Sequence, residues 1–454
     1  MRWVCLVAIV AGCGDPDAPP TTPLRSDGTH LRDDRGRIAL LRGVNARVDG
    51  VFDAAFDDGR TPLEAIPSLT AADCARMRQL GLDFLRLPIN WSAIEPTQGN
   101  YDDAYLDRVD AAVQCAAGAG IVVMIDLHQD AYSKEIGEDG APLWAIQPAP
   151  AMLLEGPLTD LGDRRTSAQV TAAFNTFFDR ADPAGVRAAF LAVLERVAAR
   201  WATDPAVIGF ELFNEPPVGD SLVTPFSLEA AQRVRAAAPA KLVMFEPSAT
   251  RNLFDFAPKS MTPFPTRDAV YAPHVYTFVF DADPARLTAL VPSDLEPSVE
   301  GARAEATAWH TPLMIGEYGI GPTEPNADLW MGVQAELHDR YLASDAFWVW
   351  KEQSQGAWGV FDFSAGSWSE RPQVVGWLSR IHAARIAGDA SANEYDYTTG
   401  ALHLESHGSS TPHAIYTPSA SFTATCNGSA LASTRDAATG LVELACDGTL
   451  DVTP

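Results

Sequence analysis

The run Val207-Ile208-Gly209-Phe210-Glu211-Leu212-Phe213 leads directly into Asn214-Glu215-Pro216. A short, nearly continuous apolar run closed by a turn-forming Asn-x-Pro reads as a strand buried on both faces, with its polar residues just past its end. A second run behaves the same way: Pro312-Leu313-Met314-Ile315-Gly316 passes into Glu317-Tyr318-Gly319. Two buried strands that each end in a glutamate point to a parallel barrel, because barrel enzymes carry their reactive side chains at the C-terminal ends of the strands.

Working outward from this pair, further strand-like runs fall at 38–44, 84–87, 121–127, 242–246, 269–275 and 347–350. Amphipathic stretches at 71–80, 104–119, 184–201, 228–238, 299–309, 327–343 and 372–387 alternate with them. Eight strands interleaved with helices predict an α/β fold, a closed (β/α)₈ TIM barrel spanning residues 25–388. One βα connection, residues 128–182, is far longer than a connecting loop needs to be. It carries Trp144, Met152, Leu153, Leu154, Phe174, Phe177 and Phe178. Such a segment is expected to stand as a lid or wall over the catalytic face, its apolar residues lining a groove or forming its own core. Past Gly388 the chain turns to Gly, Ser, Thr and Ala with short alternating runs, and a small C-terminal β-sandwich is expected over 389–454.

The 454-residue chain carries a formal net charge of −26 and only four lysines. Without a basic footprint, nucleic acid is excluded as a partner. At the N-terminus Arg2 precedes a short apolar run that ends in Val10-Ala11-Gly12-Cys13. The run is too short to span a bilayer and reads as a signal peptide over 1–13. Small residues before Cys13 resemble a bacterial lipoprotein processing site, with Cys13 the lipidated residue and 14–24 a flexible tether. The expected localisation is therefore exported, either anchored at a membrane surface through that lipid or secreted, and the protein is expected to be a monomer. Export leaves Cys74, Cys115, Cys426 and Cys446 in a disulfide-permissive compartment. Three connectivities are possible, and the local pairing 74–115 with 426–446 is the simplest.

Glu215 and Glu317 suit glycoside hydrolysis, which needs a proton donor for the leaving oxygen and a second carboxylate facing the anomeric carbon. Other strand ends place Arg86, His128, His274 with Tyr276, and Trp350 in the same layer. The set Arg86, His128, Asn214-Glu215-Pro216, His274-x-Tyr276, Glu317 and Trp350 resembles glycoside hydrolase family 5, in that order. The run Asp126-Leu127-His128-Gln129-Asp130-Ala131-Tyr132-Ser133, followed by Gly140-Ala141-Pro142-x-Trp144, is similar to the endoglycoceramidase branch of that family.

The resemblance implies Glu317 as nucleophile and Glu215 as acid/base of a retaining enzyme. It implies that Arg86 and Tyr276 hydrogen-bond Glu317, that Asn214 holds the 2-hydroxyl of the reacting sugar, that His128 and His274 orient it, and that Trp350 stacks on it. Asp126, Gln129 and Lys351 are further candidates for reading sugar hydroxyls. The substrate so implied is a glycosphingolipid cut between oligosaccharide and ceramide. The alternatives are a β-glucanase or β-glucosidase acting on soluble glucan or a steryl glucoside, and a non-catalytic carbohydrate-binding barrel. The intact carboxylate pair speaks against the last. No Gly-x-Ser-x-Gly elbow, His-Glu-x-x-His helix or phosphate-binding glycine loop occurs, and neither a cofactor nor a metal is implied.

Overall fold

The computed structural model describes residues 24–255, 268–281, 283–353 and 358–454. The signal-like segment, Cys13 and the tether as far as Pro23 lie outside them. Eight strands form the centre: β1 (Arg42–Asn45), β2 (Phe84–Ile89), β3 (Val122–Leu127), β4 (Val207–Glu211), β5 (Leu242–Phe245), β6 (Ala269–Tyr271), β7 (Met314–Tyr318) and β8 (Ser344–Phe347). Every one is buried along its whole length, which is why they read as apolar runs rather than as alternating patterns. All neighbours pair in parallel, in the order β7-β8-β1-β2-β3-β4-β5-β6. Parallel bridges from Tyr271 to Leu313 and from Val275 to Tyr318 join the two edges and close the barrel.

Side chains fill the lumen. Phe84, Val122, Met124, Leu242, Met244, Val270, Met314 and Ala346 pack as one cluster, capped from below by Leu31, Ala39 and Leu41. The opposite faces of the strands bury against the helical layer, in a cluster that includes Leu85, Val123, Phe210, Val243, Ile315 and Phe347. Gly209, within the stretch that announced the barrel, is a packing requirement: a Cβ there would lie 2.5 Å from the Leu242 carbonyl oxygen on the next strand.

The second layer of architecture draws on both ends of the chain. One antiparallel sheet takes Arg25–Ser26, Leu31–Arg32, Ile38–Ala39, His382–Ile386, His413–Tyr416 and Leu441–Leu444. A five-stranded sheet of Asp389–Asp396, Ala401–His407, Gly448–Thr453, Thr423–Cys426 and Ser429–Ala430 faces it. A shared core of Ile38, Ile386, Leu402, Leu404, Ile415, Val442, Leu450 and Val452 makes the two a sandwich.

Three expectations change as a result. The run 38–44 is not one strand: Ile38–Ala39 pairs with Arg385 and Ile386 in the sandwich, and only the segment from Arg42 enters the barrel. The stretch 372–387 is helical only over Pro372–Leu378, and His382–Ile386 is a strand. Its alanines favour a helix locally, but pairing with two neighbouring strands overrides that preference. The sandwich therefore begins before the composition change at Gly388. The strand expected at 347–350 is Ser344–Phe347, so Trp348 and Trp350 both lie beyond its end.

Barrel and sandwich are joined by a buried ionic network. Arg42 of β1 reaches Asp339 at 2.5 Å and Asp345 at 2.8 Å, and Arg380 reaches Asp339 at 2.6 Å. Asn393 of the sandwich donates to the Asp339 carbonyl at 2.9 Å. Two disulfides brace the periphery: Cys74–Cys115 links the helices Ala71–Gln79 and Asp103–Gly118, and Cys426–Cys446 closes the end of the sandwich. Asp339→Ala leaves Arg380 with no carboxylate partner and strips one from Arg42. Removing one member of a buried pair costs about 3–5 kcal/mol. Equilibrium unfolding in urea is expected to show a loss of that size, and a change within experimental error would mean the network contributes nothing to stability.

Candidate active site

A polar layer sits above the apolar lumen, where the strands end. β1 contributes Asn45, β2 Arg86, β3 Asp126 and β4 Glu211, and Glu246 and His274 follow β5 and β6. Arg86 is the centre of it and is fully buried. Its Nε donates to Glu211 at 2.6 Å, and one terminal nitrogen donates to Asn45 at 2.9 Å and to Glu317 Oε1 at 2.7 Å. The other donates to Asn214 Oδ1 at 2.8 Å and pairs with Asp126 at 3.0 Å. The Tyr276 hydroxyl donates to Glu317 Oε2 at 2.9 Å, so both oxygens of Glu317 are held.

Glu215 is positioned differently. Its φ of 41° lies in the left-handed region, and Pro216 behind it disfavours a helical backbone. Gln129 locks this turn by donating to the carbonyls of Asn214 at 2.7 Å and Glu215 at 3.3 Å, while the Glu215 N–H donates to Glu246 at 3.2 Å. The side chain meets His274 Nδ1 at 2.9 Å and Asn252 Nδ2 at 3.3 Å. The same ring nitrogen lies 3.4 Å from Glu317 Oε2. One oxygen from each glutamate and a ring nitrogen of His274 fall within 4.8 Å of one another. That spacing falls well short of the separation an inverting enzyme uses to seat a water opposite the leaving group, and fits the retaining geometry. Glu215 is the more accessible of the two, its side chain 18% exposed against 7% for Glu317.

Burial alone would push the Glu215 carboxyl up, but its hydrogen bond to His274 and the charge of that ring outweigh it and hold the group down at about 2. Burial would depress His274, yet Glu317 and Glu215 raise it. Glu215 and His274 therefore hold a proton between them across one hydrogen bond. Burial, then Arg86, keeps His128 neutral at about 4, its Nδ1 2.5 Å from Asp126 Oδ2.

A pocket of about 570 Å³ opens over Glu215, Glu317 and Tyr276. Its lining mixes polar groups, among them Gln129, Asp130, Glu138, Arg165 and Glu352, with the rings of Phe254, Phe278, Phe280, Trp348 and Trp358. Phe280 stacks on Trp358 with ring centres 5.6 Å apart, and it is 60% exposed.

Several candidate residues stand elsewhere than expected. Trp350 is 1% exposed, donates to Asp73 at 3.2 Å and packs edge-on against Phe361. Lys351 is bound to Asp73 at 2.5 Å. Both point away from the pocket because β8 ends at Phe347, and the ring that reaches the site is Trp348, stacked on His128 at 5.7 Å. Arg86, Asp126 and His274 are sealed beneath the surface and act on the carboxylates, not on a ligand. Asn214 spends its oxygen on Arg86 and one amide hydrogen on the Gln129 carbonyl at 3.1 Å, and it is 1% exposed. The sequence reading missed Asn252, Glu246, Glu138 and Arg47; Glu246, last residue of the run 242–246, carried the strand-end signal that could have found it, and the other three end no strand-like run. In the long insertion, Phe177 and Phe178 pack against Phe190, Phe213 and Phe226 of the barrel and its helices, and of the large apolar residues named in the sequence Phe174 reaches the pocket.

The family model "Cellulase (glycosyl hydrolase family 5)" matches residues 59–354. The chain belongs to glycoside hydrolase family 5. Within it, the chain is 29% identical to Endoglycoceramidase I of Rhodococcus hoagii over 411 residues, 84% of this chain and 77% of that one. The solved structure of an endogalactoceramidase superposes with a TM-score of 0.78 at 26% identity, covering 95% of this chain and 99% of the other. A Cryptococcus neoformans sterylglucosidase shares the fold at a TM-score of 0.73 and 15% identity, covering 96% of this chain and 97% of its own. As a family 5 enzyme the protein is an O-glycosyl hydrolase.

Three buried carboxyls near the site sit above their ordinary values. Burial raises Asp126 to about 6, Glu352 to about 7 and Glu138 to about 8, and nearby arginines only partly offset it. The folded state therefore holds protons that the unfolded chain releases near pH 4–4.5. Their contribution to stability is fully present below that point and is lost as pH rises toward 8. Glu138→Gln is expected to flatten this decline in urea unfolding compared between pH 5 and pH 8, and an equally steep decline would count against it.

Proposed function

We propose that this enzyme is a retaining β-glycoside hydrolase that cleaves the bond between a glycan and the ceramide of a glycosphingolipid. Glu317 is its nucleophile and Glu215 its acid/base. The observation that carries this reading is the mixed lining of the pocket over the two carboxyls. Gln129, Asp130, Glu138 and Glu352 offer polar groups suited to sugar hydroxyls, while Phe254, Phe278, Phe280 and Trp358 offer apolar surface suited to a lipid. The endoglycoceramidase and endogalactoceramidase likenesses support the same substrate class.

In the first step Glu317 attacks the anomeric carbon. The carbon–oxygen bond to ceramide breaks, and the leaving oxygen takes a proton from Glu215, which draws it from the hydrogen-bonded His274 pair. Arg86 and Tyr276 hold the Glu317 carboxylate aligned until it becomes an ester. In the second step water attacks the same carbon from the face the lipid has left. Glu215 removes its proton, the ester bond breaks, and the glycan departs with retained β configuration. The short apolar segment before Cys13 supports export, either with a lipid on Cys13 that keeps the enzyme at a membrane surface or by secretion.

Purified protein given a fluorescent glycosphingolipid in detergent is expected to release the intact oligosaccharide and free ceramide. Glu317→Ala should reduce turnover by about 10³-fold or more. Glu215→Gln should slow an alkyl or ceramide leaving group far more than a nitrophenolate, which needs no proton. Turnover of a β-glucan or simple β-glucoside in place of the lipid would assign the enzyme to that substrate class instead. The Cys13 reading is checked in bacterial cells by incorporation of labelled palmitate, which Cys13→Ala should abolish. No incorporation into the unaltered chain would point to secretion.

A further inference from the structure

The groups that hold Glu215 converge on one buried carboxyl. Glu246 directly follows β5, and its side chain is fully buried. Its Oε1 accepts the peptide N–H of Glu215 at 3.2 Å and lies 3.4 Å from Nε2 of His274. Its Oε2 accepts from Asn252 Nδ2 at 3.4 Å, and the same amide nitrogen donates to Glu215 Oε1 at 3.3 Å. Asn252 Oδ1 in turn accepts the peptide N–H of His274 at 3.1 Å. The backbone of Glu215, its amide partner and its imidazole partner all meet at Glu246.

The imidazole has little freedom within this frame. Its Nδ1 edge meets Glu215 at 2.9 Å and Glu317 at 3.4 Å. On the opposite edge Nε2 faces Glu246 and makes no hydrogen bond among the described residues. The ring also lies against Gly316 of β7, where a Cβ would come within 3.1 Å of Nε2. Backbone behind the ring and carboxyls at both edges fix where Nδ1 points, and with it the hydrogen bond across which Glu215 and His274 hold their proton. Glu317 is tied separately, by Arg86 and Tyr276, and of these two Arg86 comes near Glu246, at 3.6 Å.

We propose that Glu246 is a positioning residue for proton donation: it holds the Glu215 turn, Asn252 and the Nε2 edge of His274 in one arrangement, so that its loss falls on the acid/base and spares the nucleophile. The proposal rests on the reading of Glu215 as acid/base given above. Burial, then Glu211, raises Glu246 well above the usual carboxylate range, and Arg86 only partly offsets this. Glu246 therefore meets His274 as an uncharged group, which does not compete with Glu215 for the proton.

Leaving groups separate the two glutamates. An alkoxide needs a proton to depart and dinitrophenolate needs none, and kcat/KM reports the step in which either is expelled. The full-length enzyme is assayed on the octyl and dinitrophenyl β-glycosides of the glycan it releases. General acid catalysis contributes about 10²–10⁴-fold, so Glu246→Ala is expected to lower kcat/KM for the octyl glycoside at least about tenfold more than for the dinitrophenyl one. Glu246→Gln keeps the length of the side chain and an oxygen for the Glu215 N–H, and it is expected to recover most of that difference. The ratio of two substrates in one preparation does not depend on how much of a variant is folded. Equal losses on both glycosides in Glu246→Ala, or no loss, would overturn the assignment. So would a Glu246→Gln enzyme as selectively impaired as Glu246→Ala. Glu215→Gln, run beside them, keeps the two readings apart. If it too shows no preference for the dinitrophenyl glycoside, the acid/base reading of Glu215 fails; if it alone shows one, only the assignment to Glu246 fails.

Discussion

One guanidinium organises this active site. Arg86 rises from β2 into a layer where Asp126, Glu211 and Glu317 all present carboxylates, and it contacts each of them together with Asn45 and Asn214. So many acids buried without a cation would repel one another and take up protons. With Arg86 in place the layer becomes a rigid platform that closes the top of the apolar lumen and supports the site from beneath. Glu246 shows what happens where the cation is more distant. It lies 3.6 Å from Arg86, and burial together with Glu211 raises it well above the usual carboxylate range.

The two catalytic-type glutamates differ because their neighbours differ. Glu317 is gripped on both oxygens by Arg86 and Tyr276, which suits a group that must stay aimed. Glu215 is set on a strained backbone turn, more open to the pocket, and shares its proton with His274. A single imidazole touching both carboxyls ties their charge states together. Asn252 and Glu246 complete the support on the β5 side, so the geometry of Glu215 depends on residues from three strand ends.

The sandwich does more than extend the chain. Its first sheet borrows strands that precede β1, and Leu31 and Ala39 from that segment plug the bottom of the barrel. Arg42, Asp339, Arg380 and Asn393 then tie the two bodies through buried charge. The catalytic face lies at the opposite end of the strands, so these contacts stabilise the scaffold without touching the pocket.

The sequence by itself determined the barrel and the place of its two glutamates, because buried parallel strands leave a continuous apolar signature and end in turns where reactive groups must stand. Arg86, His274 and Tyr276 were legible for the same reason: each marks a strand end. What the sequence left open is whatever depends on strands meeting far along the chain. Trp348 and Trp350 are two residues apart, and only the point where β8 leaves the barrel puts the first in the pocket and the second against Asp73. Ile38 reads as barrel strand until its partner, some 350 residues later, draws it into the sandwich. Arg47, Glu138 and Glu352 carry no motif at all. They come from loops after β1, β3 and β8, and they meet because buried charges find one another across the mouth of the barrel, which no local pattern encodes.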